Sequence, residues 1–237
     1  MRHCVFIAGT GTDVGKTVLT RALARALSRR GLRVAAVKPV ESGIARRPGE
    51  ACATDAAALR AAAGTDVSDD DVCAYLLDDP VSPHLAASRQ GIRIKASRIE
   101  ALIERAEAAG DLVLAEASGG LLVPLSDELL YADLIAKTGL PLVVVAPNAL
   151  GAINATLLTL EAARSRGIDV LGVVLNGSPK ADLGNAEAIA RFGRVRLLGL
   201  FPTVAPVDDD HLADAAEAHL NLDVIAAYAR SKPGAAR

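Results

Sequence analysis

Residues 9–17, GTGTDVGKT, combine glycines with a lysine and a threonine at a spacing that suits phosphate binding. Glycines let a loop turn several backbone N–H groups inward around phosphate oxygens. The N-terminus of the helix that follows adds a partial positive charge. Lys16 can reach the outer phosphates of a nucleoside triphosphate, and the hydroxyl of Thr17 can bind Mg²⁺. The loop is one residue longer than the standard pattern, so a glycine-rich turn without a ligand is the alternative.

Polar side chains follow several of the predicted buried strands. Lys38, Glu116 and Asn176 each come directly after an apolar run. Ligands of open α/β sheets lie at the carboxyl ends of the strands, which places these side chains near the phosphate loop. Glu116 suits a Mg²⁺ ligand, and Asp55, just after a loop, could be a second one. A solvent-exposed Lys38, and Asp55 as a helix-start charge with Thr54 as N-cap, are the alternatives.

Two other segments resemble sites but favour a structural interpretation. His84 follows Ser82-Pro83 and is interpreted as a residue at a helix start. The acidic run at 208–210 is interpreted as a solvated turn and helix cap. The four histidines, His3, His84, His211 and His219, lack metal-ligand spacing.

The elements that must position these side chains are predicted from apolar periodicity. Short apolar runs alternate with longer amphipathic stretches, which indicates one α/β domain with a mostly parallel sheet and helices on both faces. Gly31 is the expected C-cap of the first helix. We predict a domain over 1–230, a mobile loop at 41–53 and a disordered tail at 231–237. Strands are predicted at 5–8, 32–37, 112–115, 141–146, 170–175 and 197–201, and helices at 16–30, 97–109, 152–166 and 181–191.

Composition excludes several classes of function. The 237 residues carry a net charge of −2 with no basic stripe, and they include no Trp and few Phe or Tyr, so nucleic acid is not an expected partner. No apolar run approaches the ~20 residues that span a bilayer. The start of the chain leaves no room for a signal peptide. Cys4, Cys52 and Cys73 are scattered, which favours reduced thiols in a cytoplasmic protein.

Six ordered segments together resemble the dethiobiotin synthetase family. Residues 9–17 match its G-T-x-T-x-V-G-K-T pattern, including the additional loop residue. The other five are KPVESG at 38–43, TDA at 54–56, VSPHLAA at 81–87, EASGG at 116–120 and LGAINA at 150–155.

The resemblance implies a single-domain P-loop NTPase fold and the ATP- and Mg²⁺-dependent closure of 7,8-diaminononanoate and CO₂ to dethiobiotin. It also implies a homodimer whose substrate site is shared between subunits. It implies catalytic roles for Lys38 and Lys16, and metal ligands at Thr17, Asp55 and Glu116. The implied ATP contacts are Thr12, Asp13, Val14, Gly15, Lys16, Thr17, Val18, Asp55, Glu116, Ala117, Ser118, Gly119, Asn176, Gly177, Pro202, Thr203 and Val204. The implied substrate contacts are Thr12, Asp13, Lys38, Ser42, Gly151, Ile153 and Asn154.

Departures from the family pattern concern the nucleotide contacts. Asp13 stands where Glu is frequent, and Ala117 and Ser118 stand where Gly and Ala are usual. Gly177 stands where a polar residue is common. The main alternative is a partition or septum-placing ATPase, but such proteins carry a further lysine near the loop start, which residues 9–12 lack. A corrinoid-amidating synthetase is a second alternative, and 237 residues leave it little room for a glutaminase domain.

Overall fold

The computed structural model describes residues 3–44, 54–64, 68, 71–179 and 182–231. Its strands are β1 (Cys4–Gly9), β2 (Val34–Val37), β3 (Val40–Ser42), β4 (Tyr75–Leu77), β5 (Leu112–Gly120), β6 (Pro124–Ser126), β7 (Leu129–Leu130), β8 (Leu142–Pro147), β9 (Val170–Asn176) and β10 (Leu197–Phe201). Its helices are α1 (Lys16–Arg29), α2 (Asp55–Ala63), α3 (Pro83–Arg89), α4 (Ala96–Ala109), α5 (Tyr131–Thr138), α6 (Ala152–Arg164), α7 (Asn185–Gly193), α8 (Asp209–His219) and α9 (Asp223–Arg230).

The central sheet has six strands in the order β10-β9-β8-β1-β5-β2, and every neighbouring pair is parallel. From β1 the chain passes to β2 at one edge, and it later returns to fill β8, β9 and β10 on the other side. The strand order therefore reverses at β1, and ligands of such sheets bind beside the carboxyl end of the strand at that reversal. The phosphate loop begins there.

Helices cover both faces of this sheet, as the sequence predicts. Phe6 of β1 belongs to a buried apolar cluster that includes Leu102 of α4 and side chains of α5 and α6. Its neighbour Ile7 points to the opposite face, into a second cluster with Leu23 of α1 and Leu212 of α8. Each such buried side chain contributes about 1.5–3 kcal/mol of transfer free energy. The two layers hold β1 rigidly under the loop that follows it.

Several predicted boundaries are wrong by a few residues. The strand predicted at 112–115 continues to Gly120, because its polar end still pairs with Gly9 of β1. The strand predicted at 32–37 begins only at Val34, and the helix predicted at 181–191 begins only at Asn185. Helix α1 ends at Arg29 with Arg30 as its C-cap, so the prediction of Gly31 as the C-cap is wrong by one residue. Gly31 follows in a left-handed conformation with φ +83°.

The mobile loop predicted at 41–53 is wrong at its start. Glu41 pairs with Leu76 in the two-stranded sheet of β3 and β4, and Glu41 is buried. Residues 45–53 lie outside the described residues, as do residues 232–237 of the predicted tail. Within the described ranges, no helix combines the length and apolar character that crossing a bilayer requires.

The helix-start interpretations of the polar segments are confirmed. The Oγ1 of Thr54 accepts the Ala57 N–H at the start of α2, at 3.0 Å. The Nδ1 of His84 lies 3.0 Å from Ser82 Oγ in the first turn of α3. Asp208 caps α8, where its carboxylate accepts the N–H groups of residues 210 and 211. Local hydrogen bonds thus explain these residues without a ligand.

The described thiols should be unreactive in the native protein. Cys4 and Cys73 are free and buried. Burial raises the pKa of Cys4 well above its usual value and that of Cys73 to about 12. Because the thiolate is the nucleophile, we expect that neither reacts with a disulfide reagent at pH 8.

A Cys52→Ser variant leaves Cys4 and Cys73 as the cysteines of the chain. The absorbance of the thiol that the disulfide reagent releases measures their labelling. We expect no labelling of the native variant within minutes, and labelling of both thiols in guanidinium. Rapid labelling of the native variant would contradict the burial of these side chains.

Candidate functional site

The phosphate loop joins β1 to α1 and holds a buried lysine. Gly15 is the N-cap of α1, and its φ of +90° turns the chain into the helix. The Nζ of Lys16 donates a hydrogen bond to the carbonyl oxygen of Gly11, at 2.9 Å, inside the same loop. Burial lowers the pKa of Lys16, and the nearby Glu116 carboxylate opposes that shift. The protein therefore holds a desolvated ammonium in a loop suited to phosphate oxygens.

Asn176 at the end of β9 supports this loop from the side. Its Nδ2 donates to the carbonyl oxygen of Val14, at 3.0 Å. Beyond it, Gly177 N–H donates to the carbonyl oxygen of Phe201, at 2.8 Å, and Thr203 N–H donates to the Oγ of Ser178, at 3.1 Å. The predicted ATP contacts at Asn176, Gly177 and Thr203 therefore lie together at the carboxyl ends of β9 and β10.

Replacing Gly15 with alanine should weaken nucleotide binding about tenfold. A Cβ at Gly15 would lie 1.9 Å from Nδ2 of Asn176, so either the loop or the Asn176 side chain that supports it must move, and the φ of +90° adds strain. Gly31→Ala is the matched control, because Gly31 has φ +83° but open space around it. We expect it to lower stability by about 1 kcal/mol and to leave nucleotide affinity unchanged. Calorimetric titration with ATP measures both variants, and equal affinities would show that the contact with Asn176 is dispensable.

Four predicted site residues meet in one cluster beside the loop. The Nζ of Lys38 donates to Glu116 Oε1 at 2.8 Å and is also hydrogen-bonded to Asp55 Oδ2. The Oγ1 of Thr17 donates to the same Glu116 oxygen, at 2.8 Å. The side chain of Glu116 is 0% exposed and that of Lys38 is 8% exposed, whereas that of Asp55 is 47% exposed. The fold thus brings together side chains from β5, α1, α2 and the segment after β2.

Electrostatics keeps Lys38 charged. Burial favours the neutral amine, but the charge of Glu116 and the hydrogen bond to Asp55 outweigh burial and raise the pKa of Lys38 above its usual value. A raised lysine pKa adds stability that persists below pH ~10.4 and is lost only at a more alkaline pH. Lys38 is therefore an ammonium at every pH at which the protein is expected to work.

The donor set fits a magnesium ion. Glu116 Oε2 is buried and has no hydrogen-bond partner, and leaving such an oxygen unpaired is costly. Carboxylate and hydroxyl oxygens are the ligands that Mg²⁺ takes, together with water and phosphate oxygens. Among the described residues, His, Cys, Asp and Glu form no group of three that could hold a metal. Glu116, Asp55 and Thr17 would therefore need phosphate or water to complete the ion's shell.

These groups line a cleft of about 750 Å³ that extends from the loop towards α3. The Oγ of Ser42 lies in its wall and donates to the carbonyl oxygen of Val81, at 2.8 Å. The sequence did not predict the wall residues Pro80 and Val123, because their apolar side chains have no functional group that would mark them as site residues. The lining is Thr12, Asp13, Gly15, Lys16, Thr17, Val18, Lys38, Ser42, Asp55, Pro80, Val81, Ser82, Pro83, Glu116, Ser118, Gly119 and Val123.

Other predicted site residues lie outside this lining. Ala117 packs its side chain into the apolar core, so only its backbone can contact a ligand there. Gly151, Ile153 and Asn154 lie at the start of α6 and do not line the cleft of their own chain. Val14 is also buried in the core, and its backbone carbonyl binds Asn176. The remaining residues outside the lining are Asn176, Gly177, Pro202, Thr203 and Val204.

Comparison with known sequences shows close relatives. A model of the AAA domain family matches residues 3–211. ATP-dependent dethiobiotin synthetase BioD of Anoxybacillus flavithermus is 40% identical over 202 residues, covering 83% of this chain and 90% of the relative. The protein of that name in Aromatoleum aromaticum is 40% identical over 211 residues, covering 88% and 94%. That of Thermodesulfovibrio yellowstonii is 33% identical over 237 residues, covering 95% and 99%.

Solved structures show the same fold at much lower identity. The cell division ATPase MinD of Pyrococcus furiosus has a TM-score of 0.54 and 18% identity, covering 92% of this chain and 98% of that one. A ParA family ATPase from Chlorobium tepidum has a TM-score of 0.57 and 14% identity, covering 97% and 98%. These likenesses establish the fold alone, and they confirm the predicted P-loop NTPase architecture.

Proposed function

The chain belongs to the dethiobiotin synthetase family, and from that premise we propose how its cleft performs the family's ATP-dependent reaction in biotin biosynthesis. The substrates are 7,8-diaminononanoate, CO₂ and ATP, and the products are dethiobiotin, ADP and phosphate. The observation that carries the proposal is the Lys38 ammonium, held by Glu116 and Asp55 beside the phosphate loop. A buried cation at that place suits a reaction in which two anions must approach each other.

The chemistry divides into three steps. One amine of the diamine adds to CO₂, loses a proton and becomes a carbamate. An oxygen of the carbamate attacks the γ-phosphorus of ATP, which gives a carbamic–phosphoric mixed anhydride and ADP. The second amine then attacks the carbamoyl carbon, closes the cyclic urea and expels phosphate. In phosphoryl transfer of this kind, the protein acts by positioning the reactants and by neutralising charge.

Lys16 and Lys38 supply the fixed positive charges. Lys16 is buried in the phosphate loop and would neutralise charge on the transferred phosphoryl group. Lys38 lines the same cleft and would stabilise the carbamate and the γ-phosphoryl group where they meet. Because both ammonium groups are already desolvated, they need little reorganisation during the reaction.

The magnesium ion would be held by Thr17, Asp55 and Glu116. When bound, the ion supplies charge neutralisation on the phosphate oxygens. The unpaired Glu116 Oε2 and the half-exposed Asp55 carboxylate support this assignment.

The diamine would lie in the part of the cleft lined by Thr12, Asp13 and Ser42. The Asp13 carboxylate would attract an ammonium group of the substrate. The adenine would lie by Asn176, which contacts the phosphate loop, and by Gly177 and the loop of residues 202–204 beside it. The contacts of Val14, Val18, Ala117, Ser118 and Gly119 with ATP belong to the same proposal.

A homodimer would complete the substrate site. Gly151, Ile153 and Asn154 do not line the cleft of their own chain, and the helix start that they form can bind a carboxylate. Leu150 directly precedes Gly151 and is 97% exposed. The partner subunit would thus present this helix start to the carboxylate of the diamine.

An ADP-release assay tests the reaction directly. We expect release that requires both bicarbonate and 7,8-diaminononanoate, together with dethiobiotin detected by mass spectrometry. ADP release in the absence of either substrate, or none with both present, would contradict the proposal.

Subunit mixing tests the shared site. Lys38→Ala removes a group from one half of the site, and Asn154→Asp places a repelling charge beside the substrate carboxylate in the other half. We expect each variant to be nearly inactive. After subunit exchange, about a quarter of the wild-type activity should return, because each mixed C2 dimer keeps one intact site. No recovery, despite exchange demonstrated with differently tagged subunits, would place both residues in the same half of the site.

A further inference from the structure

Glu41 is a buried carboxylate with an unusual pair of partners. Its side chain belongs to β3, and the residue is 7% exposed. Oε1 accepts the backbone N–H of Asp55 at 2.7 Å, and Oε2 accepts the backbone N–H of Ala56 at 3.0 Å. Both donors lie in the first turn of α2, whose unpaired N–H groups carry a partial positive charge. Glu41 therefore holds the start of a helix that it does not belong to.

This link joins two parts of the candidate site that are distant along the chain. Glu41 lies three residues after Lys38, whereas Asp55 is separated from β3 by residues 43–54. Lys38 and Asp55 also contact each other directly. The segment that carries the lysine is thus connected to the helix that carries the aspartate both by that ion pair and by Glu41.

A further contact fixes Glu41 to the central sheet. The hydroxyl of Ser118, on β5, donates to the carbonyl oxygen of Val40. Glu116 lies two residues before Ser118 on the same strand. The positions of Glu116, Lys38 and Asp55 are therefore related through two contacts of β3, one made by the Val40 carbonyl oxygen and one by the Glu41 carboxylate.

We propose that Glu41 is a positioning residue that places the Asp55 carboxylate for the magnesium ion and for Lys38. Glu41 does not line the cleft, so it would act through Asp55 rather than touch a substrate. The inference rests on the proposed function for the role of Asp55. Partners that orient metal ligands typically change metal affinity or activity 10- to 100-fold when they are removed.

The test compares Glu41→Ala and Glu41→Gln with Asp208→Ala. The alanine variant loses both acceptors, whereas glutamine keeps one, so it remains informative if the alanine variant does not fold. Asp208 also accepts two N–H groups at a helix start, on α8, and it does not line the cleft. Calorimetry would measure the Mg²⁺ affinity of the protein with bound ATP analogue. We expect a loss of roughly tenfold or more for Glu41→Ala, a smaller one for Glu41→Gln, and none for Asp208→Ala.

Two further measurements separate positioning from general destabilisation. Hydrogen exchange should accelerate at the Asp55 and Ala56 amides of the Glu41 variants, with β1 and β8 still protected. In an Asp55→Ala background, Glu41→Ala should change Mg²⁺ affinity less than about threefold, because its effect requires Asp55.

The inference is overturned if the Glu41 variants bind Mg²⁺ like the wild type. It is also overturned if the losses of Mg²⁺ affinity caused by Glu41→Ala and by Asp55→Ala multiply when the two substitutions are combined. These binding and exchange measurements need no turnover. A wild-type protein that failed the ADP-release assay would therefore refute the proposed reaction and still allow the role of Glu41 to be decided.

Discussion

Replacing Lys38 with alanine is expected to lower turnover at least ~100-fold, the low end for losing a charge contact made in the transition state. The ammonium of Lys38 is buried between Glu116 and Asp55, whereas Lys16, the other lysine in the described lining of the cleft, donates to the Gly11 carbonyl oxygen in the phosphate loop. We expect the variant to fold, with a free energy of unfolding lower by about 3 kcal/mol, because Glu116 loses its paired charge. Steady-state ADP release measures turnover, and circular dichroism against urea measures stability.

Lys137→Ala is the matched control for this variant. Lys137 also pairs with a glutamate, Glu100, at 3.0 Å, but its side chain is 64% exposed and lies outside the cleft. We expect its turnover and stability to remain close to those of the wild type, because exposed ion pairs contribute little. If the Lys38 variant kept near-normal turnover, the proposed meeting of carbamate and phosphoryl group at Lys38 would be wrong.

Replacing Glu116 with glutamine is expected to lower kcat/KM about 100-fold at a Mg²⁺ concentration that saturates the wild type. Glutamine keeps the size of the side chain and an oxygen that can accept from Thr17. It removes the negative charge that faces both Lys16 and Lys38, and it replaces one of the two carboxylate oxygens. The Mg²⁺ concentration for half-maximal activity should therefore rise at least about tenfold.

Glu128→Gln provides the same chemical change at a side chain that is 83% exposed, and we expect its Mg²⁺ curve to match that of the wild type. Superimposable Mg²⁺ titrations for Glu116→Gln and the wild type would show that Glu116 is not a ligand.

Because Lys38 and Glu116 contact each other, the variant that combines Lys38→Ala with Glu116→Gln should lose less activity than the product of the two single losses.

The likeness to partition ATPases is confined to the fold. MinD and ParA proteins superimpose on most of the chain at 14–18% identity, whereas the dethiobiotin synthetases are 31–40% identical over most of its length. The sequence relatives therefore decide between a dethiobiotin synthetase and a partition ATPase in favour of the synthetase. Residues 9–12, which lack the additional lysine of the partition enzymes, agree with that decision.

The sequence by itself determined the features that local patterns encode. The glycines, Lys16 and Thr17 at the start of an amphipathic helix specify a phosphate loop, and alternating apolar runs specify a parallel sheet covered on both faces. The order and spacing of six short segments also identified the family, because each segment is contiguous in the sequence. Lys38 and Glu116 could be selected because parallel strands bring their carboxyl ends to one edge of a sheet.

Only the tertiary structure decided which side chains meet across long separations in sequence. Glu41 lies in the segment KPVESG, and nothing in the neighbouring sequence indicates that it holds the start of α2. The contact of Asn176 with the loop, and the distance of residues 151–154 from their own cleft, are likewise set by the packing of separate elements. The physical reason is that periodicity and turn chemistry act over a few residues, whereas a buried carboxylate takes whichever N–H groups the assembled fold leaves unpaired beside it.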